Sequence, residues 1–436
     1  MSLSRNGNTA LDNDTSISRT PLSLHSPALP PHISVPTSTH QKVRREFAAQ
    51  KHRPKEELRF YTDAAMALPA AARSAHAVEK VTKKGAVRFF KHNTTDSIMS
   101  ELEAAVWSIY HINAPHHVPA KANAHYNRDN EYIGISTLEL PNFRSTMDEP
   151  LEEKDLLKRS TVKALAIILT LSYILEEDDL HRGNMSRDGL RIDFDMSLWP
   201  VLGNFKEGTM IDWMYRPRDQ ERFCMTANDI DNFPDIKDAK PFYWPTIPQP
   251  IITEGARNVL SNFIPISRNA FPTKENILFK KLKDNPDFQY EKFKTLLKFL
   301  LISTDQYSTL ITQHIRTDLS YHDTQKQNGK ISDLLIEHLD TRKWKLRELL
   351  VAMPSFQEFL WAHGVRAKQE ILQEFTEYNQ GMRTRESMKR AKNPQRDTAK
   401  LYDNLIHLED IKKTYNSIFR EAKQIACPPL VTRKLR

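Results

Sequence analysis

The sequence predicts an α+β protein with two unequal lobes: a small N-terminal sheet with one helix, then a large, mostly helical lobe with a helical C-terminal extension. Three observations carry this. A segment at 77–92 alternates apolar and polar residues on both sides of a Gly-containing turn, the pattern of a β-hairpin. From about residue 151 apolar residues recur at helical spacing through most of the chain. Glycine is scarce: 11 of 436 residues, where average usage near 7% gives about 30. Dinucleotide and P-loop folds need glycine where backbone meets phosphate, and neither GxGxxG nor GxxxxGK[ST] occurs.

The elements follow in order. Residues 1–45, rich in Ser, Thr, Pro and Asn, lack apolar periodicity and read as a disordered tail. In the hairpin, AVEKV and AVRFFKH flank TKKG, which turns at Gly85 and leaves Val87, Phe89 and Lys91 on one face. A helix follows, capped by Thr95 or Asp96, with Ile98, Leu102, Ala105 and Ile109 as its stripe. APHHVP breaks it, and His116-His117 reads as a surface pair. EYIGISTLEL, 131–140, reads as a strand entering a loop at Pro141. One helix is expected over 153–177, apolar nearly all round in its second half and therefore buried. A hairpin at MSRDGLRID turns at Asp188-Gly189. Residues 200–275 read as Pro-rich and irregular, and 276–425 as mostly helices. The expected units are a lobe at 46–142, a second at 143–350 and a basic helical extension at 351–436.

Composition excludes several classes. Two cysteines, Cys224 and Cys427, do not make a disulfide framework and suit a reducing cytosol. The longest uncharged apolar run, 164–175, is shorter than the ~20 residues of a membrane span, and no signal peptide is read at the N-terminus. A cytosolic, soluble protein is expected. The formal charge of +8 is concentrated. Residues 365–436 hold 16 Lys/Arg against 9 Asp/Glu, so +7 lies there and about +1 in the remainder. Within it, Arg383, Arg385, Lys389, Arg390, Lys392 and Arg396 form a run that is either a solvated helix face or a site for a polyanion such as an inositol phosphate or an anionic lipid headgroup. Nucleic acid is not expected, since no recognition signature appears.

The chemistry lies in DLHRGNMSRDGLRIDFD, 179–195. A loop after the buried helix supplies Asp179 and Asn184, and the hairpin returns Asp193 beside them. Phosphoryl transfer uses such a set: one carboxylate orients the acceptor hydroxyl, while an Asn and a second carboxylate hold Mg²⁺.

This stretch resembles the protein-kinase-like superfamily. D-x-H-x-G-N followed by I-D-F is similar to aminoglycoside phosphotransferases, choline-kinase-like enzymes and phosphoinositide kinases. The DFD variant is similar to kinase-fold effectors of Legionella-type intracellular bacteria, which would place the protein in a host cytoplasm, peripheral on membranes. The resemblance implies a bilobal kinase-like fold, ATP, and Mg²⁺ or Mn²⁺. It implies Asp179 as catalytic base with His181 ordering its loop or assisting charge stabilisation, Asn184 and Asp193 as metal ligands, and Asp195 as a further one or else a helix cap or hydrogen-bond acceptor. Lys91 takes the place of the phosphate-binding lysine, paired with Glu103 or Glu101. Thr137, Leu138 and Leu140 stand where the adenine would contact backbone. The expected function is an ATP-dependent phosphotransferase with a protein Ser/Thr acceptor, or else a phosphoinositide or small-molecule kinase. A catalytically silent module that binds phosphoinositide membranes is the alternative class.

Overall fold

The computed structural model describes residues 65–67, 78–83, 86–92, 97–126, 132–198, 200–201, 223–247, 270–315, 320–321, 329–392 and 405–426. The 1–45 tail and Gly85 lie outside them. A small N-terminal sheet precedes a large helical region, so the arrangement is α+β and bilobal in outline.

The sheet has the order β1-β2-β3-β5-β4, with antiparallel pairing between all neighbours. Its strands are β1 (Ala65–Ala67), β2 (Val78–Lys83), β3 (Ala86–His92), β4 (Ala122–Tyr126) and β5 (Tyr132–Leu138). β3 pairs with β2 on one side and β5 on the other, with Lys91 opposite Val78 and Ile135. Side chains alternate across a strand, so Phe90 is fully buried while Phe89 and Lys91 face a cavity. Gly134 of β5 has φ +153, and a Cβ there would stand 2.5 Å from the Lys91 carbonyl oxygen.

Helix α1 (Ser97–Asn113) follows β3 and packs behind the sheet. Its Leu102, Val106, Ile109 and Tyr110 are buried. Strand β4 is an addition to the sequence reading, because ANAHY has too little alternation to stand out before its pairing with β5 is known.

The helix expected over 153–177 is divided. A 3₁₀ turn (Glu153–Leu157) ends where Lys158 is extended, and α2 (Arg159–Ile174) starts there. Asp155 causes the break: its buried carboxylate accepts the Glu152 amide and pairs with Lys158 at 2.9 Å. α2 is buried through Leu165, Ile168, Leu169 and Leu171, each contributing about 2 kcal/mol by leaving water. It ends at Ile174 because Glu176 has φ +51 and Arg342 donates to the Tyr173 carbonyl at 2.8 Å.

The segment expected to be irregular contains a short helix, α3 (Ala227–Asn232). Its buried Asp229 accepts the amides of Asp238 and Ala239 at 2.8 Å, shaping the turn toward 242–243. Among the described residues the remaining α-helices are α4 (Thr273–Lys281), α5 (Pro286–Leu301), α6 (Thr304–His314), α7 (Ile331–Ala352), α8 (Pro354–Lys392) and α9 (Leu408–Ala426). The sequence explains their ends. Asn285 caps α5 with Pro286 in its first turn, and Ser303 and Gln306 form a capping box on α6. On α9, Ile411, Tyr415, Ile418 and Ala422 form the buried stripe. One apolar core runs from α1 to α9, so α8 and α9 pack into the helical region. No helix among the described residues is long and apolar enough to cross a membrane.

Candidate functional site

Four side chains from three elements meet at one ammonium group. β3 delivers Lys91, whose Nζ lies 3.2 Å from Glu103 Oε2 on α1, 2.6 Å from Asp193 Oδ1 and 2.9 Å from Asp195 Oδ2. Burial alone would lower the Lys91 pKa, but the three carboxylates outweigh it and hold the ammonium well above its usual range. Glu103 is pushed up to about 7, chiefly by burial, because its one cationic partner is shared with two aspartates. Glu101 is fully buried elsewhere on the same helix.

The loop bearing Asp193 is tied at both ends. The Arg191 amide donates to the His117 carbonyl at 2.8 Å and the Ile192 amide to the Asn184 carbonyl at 3.1 Å. Beyond it, the buried Phe194 ring stands 4.6 Å from that of Tyr110 on α1. Between these anchors Asp193 has φ +65, which costs an ordinary residue about 1–3 kcal/mol and is tolerated only where surroundings impose it. The Asp188-Gly189 turn leads in. Gly189 has φ +68, and a Cβ there would stand 2.5 Å from the backbone of Ala164 in α2. The turn is closed by a single bridge, Met185 to Arg191, rather than by strands.

Asp179 and Asn184 share a tight loop. The Asn184 side-chain amide lies 3.2 Å from the Asp179 carbonyl and 3.4 Å from its carboxylate. Gly183 donates its amide to His181 Nδ1 at 2.8 Å, which assigns the imidazole proton to Nε2, 3.6 Å from Asp179 Oδ2. Burial, reinforced by Arg191, lowers the His181 pKa to about 4, so the ring is neutral at pH 7. The Asp179 carboxyl is held well above the usual range by burial and by facing Asp195, Asp193 and Glu177.

A cavity of about 540 Å³ opens from the Lys91 cluster, large enough for a small-molecule ligand. Lys91, Glu103 and Asp193 line it together with Val78, Phe89 and Ile135, and the 137–144 segment, including Thr137, Leu138 and Leu140, forms another part of its wall. Lys80 and Glu139, paired at 3.1 Å, join β2 to that segment. Asp179, His181 and Asn184 are not in the lining; they reach it through the 184–193 hairpin.

Glu103, Asp193 and Asp195 can each offer one oxygen within 4.8 Å of the others. Three carboxylates around one ammonium leave an excess of negative charge, which suits a hard divalent cation with oxygen ligands.

Sequence reasoning missed the residues beneath the site. Glu177 and Arg191 are fully buried and paired at 3.0 Å. Glu177 also accepts the Asp179 amide at 3.0 Å and the Ser197 hydroxyl at 2.6 Å, so one carboxylate joins both loops. Asp178 accepts the Phe242 amide at 2.6 Å, setting 242–243 beside Asp179. The available signal was an arginine between Leu190 and Ile192, close in sequence to the acidic run 176–179. His117 corrects the expected surface pair: His116 is exposed, but His117 turns inward, its Nδ1 3.1 Å from the Gly189 carbonyl. In the basic run, Arg383, Arg385, Lys389 and Arg390 are exposed near the end of α8. Lys392 ends that helix, and Arg396 lies outside the described residues. No family model matches the chain, and no curated protein sequence matches it.

Proposed function

We propose that this protein is an ATP-dependent phosphotransferase built on a kinase-like bilobal fold. The observation that carries the reading is Lys91, bonded at once to Glu103 of the sheet-side helix and to Asp193 of the returning hairpin, at the end of a ligand-sized cavity. A strand lysine paired with a helix glutamate, and an aspartate that can hold metal beside them, are the parts that position ATP in kinases.

In this mechanism the 137–140 segment receives the nucleotide base, and Lys91, steadied by Glu103, orients the phosphates. Asp193 and Asn184, with Asp195 as a further ligand, would hold a divalent cation, which would supply charge neutralisation for the phosphates. Asp179 accepts the proton of the acceptor hydroxyl at its carboxylate. Neutral His181 keeps its Nε2 proton toward Asp179 and orients that carboxylate. A protein Ser/Thr is the favoured acceptor. The exposed arginines and lysine of α8 supply a contact for an inositol phosphate or an anionic lipid headgroup.

The test is transfer from γ-labelled ATP with Mg²⁺ or Mn²⁺, with acceptors identified by mass spectrometry. Wild type should label an acceptor, and Asp179→Ala and Asp193→Ala should not. Equal labelling by both variants would overturn the site assignment. Labelling of lipid or a small alcohol alone would replace the protein acceptor, and nucleotide binding without transfer would favour a silent binding module.

A further inference from the structure

The turn that follows α1, residues 113–117, touches both halves of the site. Its first residue ends the helix that carries Glu103. Its last, His117, accepts the Arg191 amide and meets Gly189 of the hairpin that leads to Asp193. The turn is held from outside by the helical region. Lys298 of α5, with its side chain 4% exposed, donates from Nζ to the Asn113 carbonyl at 2.7 Å and to Glu374 Oε2 of α8 at 2.6 Å. Tyr307 of α6 meets the Asn113 side chain at 3.2 Å.

The last carbonyls of a helix have no partner within it, and a cation placed there satisfies them. A buried ammonium needs a counter-charge to stay in place. Glu374 supplies it. Its neighbour Glu370 does not: both bind Lys294, at 3.0 and 3.2 Å, but only Glu374 reaches Lys298.

We propose that Glu374 is a positioning residue that acts through Lys298: it fixes the 113–117 turn and thereby sets the spacing between Glu103 and Asp193. Its catalytic consequence rests on the phosphotransferase reading above. A distant helix of the C-terminal region thus governs the geometry at Lys91 without touching ligand.

The experiment compares full-length wild type, Glu374→Gln and Glu370→Gln. Two readouts are taken: amide hydrogen exchange, and affinity for a fluorescent ATP analogue with Mg²⁺. Glu374→Gln should speed exchange in 107–117 and 189–193 by about tenfold relative to Glu370→Gln. It should also weaken nucleotide binding relative to Glu370→Gln. Equal exchange in both variants, or a change confined to 291–298 and 370–374, would overturn the proposal. If wild type binds no nucleotide, the phosphotransferase reading falls, while the exchange comparison still decides the positioning role. If Glu374→Gln does not fold, Lys298→Met, which keeps an unbranched apolar side chain, is read by the same exchange comparison.

Discussion

Two lysine–carboxylate clusters in this protein have nearly the same ingredients and opposite characters. In the first, Lys91 faces Glu103, Asp193 and Asp195. In the second, Lys294 and Lys298 face Glu291, Glu370 and Glu374 between α5 and α8. The first opens onto a cavity of about 540 Å³, and neither lysine of the second lines that cavity. One glutamate from each shows the difference. Glu103 is pushed up to about 7, while Glu374 is drawn down to about 2, despite some cost of burial, because two lysines share it. A second lysine nearly balances the charge and makes a joint. A single lysine leaves negative charge uncompensated, and such a place is suited to a cation.

That contrast can be broken by substitution. The largest effect is expected beside the first cluster: Asp179→Ala should lower transfer by about a hundred- to ten-thousandfold, the scale of a lost catalytic group, while the thermal midpoint moves little. Initial rates and melting curves on the same samples check this. The reverse pattern is expected at the second. Lys294→Met strips buried Glu291 of its closest partner and should cost about 3 kcal/mol in chemical denaturation, with nucleotide affinity unchanged.

Cation binding sharpens the comparison. Mg²⁺ or Mn²⁺ at a hundredfold above its dissociation constant should stabilise wild type by about 2.7 kcal/mol. Asp193→Asn combined with Asp195→Asn should abolish that gain, and Glu370→Gln should retain it. A pH dependence tests the second cluster directly. Glu374 lies below its ordinary 4.5 at about 2, so its stabilisation is fully present above 4.5 and is lost as pH falls through 2. The stability difference between wild type and Glu374→Gln should therefore shrink over that window. A constant difference would show that charge at 374 is not what the lysines hold.

Much of this geometry is legible in local pattern. Period-two alternation in 86–92 is enough to place Lys91 with Phe89 and opposite Phe90. The spacing from 179 to 195 brings Asp179, Asn184 and Asp193 into one turn-linked unit. What escaped has a common cause: its logic is tertiary. β4 is a strand because β5 offers it an edge. The 153–177 helix breaks because one buried carboxylate prefers Lys158 and a loop amide. Lys298 and Glu374 are 76 residues apart, and on their own helices they read as ordinary surface charges. Glu177 and Arg191 are close in sequence, yet only the closed hairpin reveals that water is excluded from both.

Gly189 gives the hairpin a further meaning. With the Ala164 backbone 2.5 Å from where a Cβ would stand, the turn rests on α2 with no side chain between them. It works as a gauge block whose thickness is a single hydrogen. The reach of Asp193 toward Lys91 is therefore calibrated by an atom group that is missing, and any residue larger than glycine at 189 would lift the arm that carries Asp193 off its seat while leaving every charged group in the chain intact.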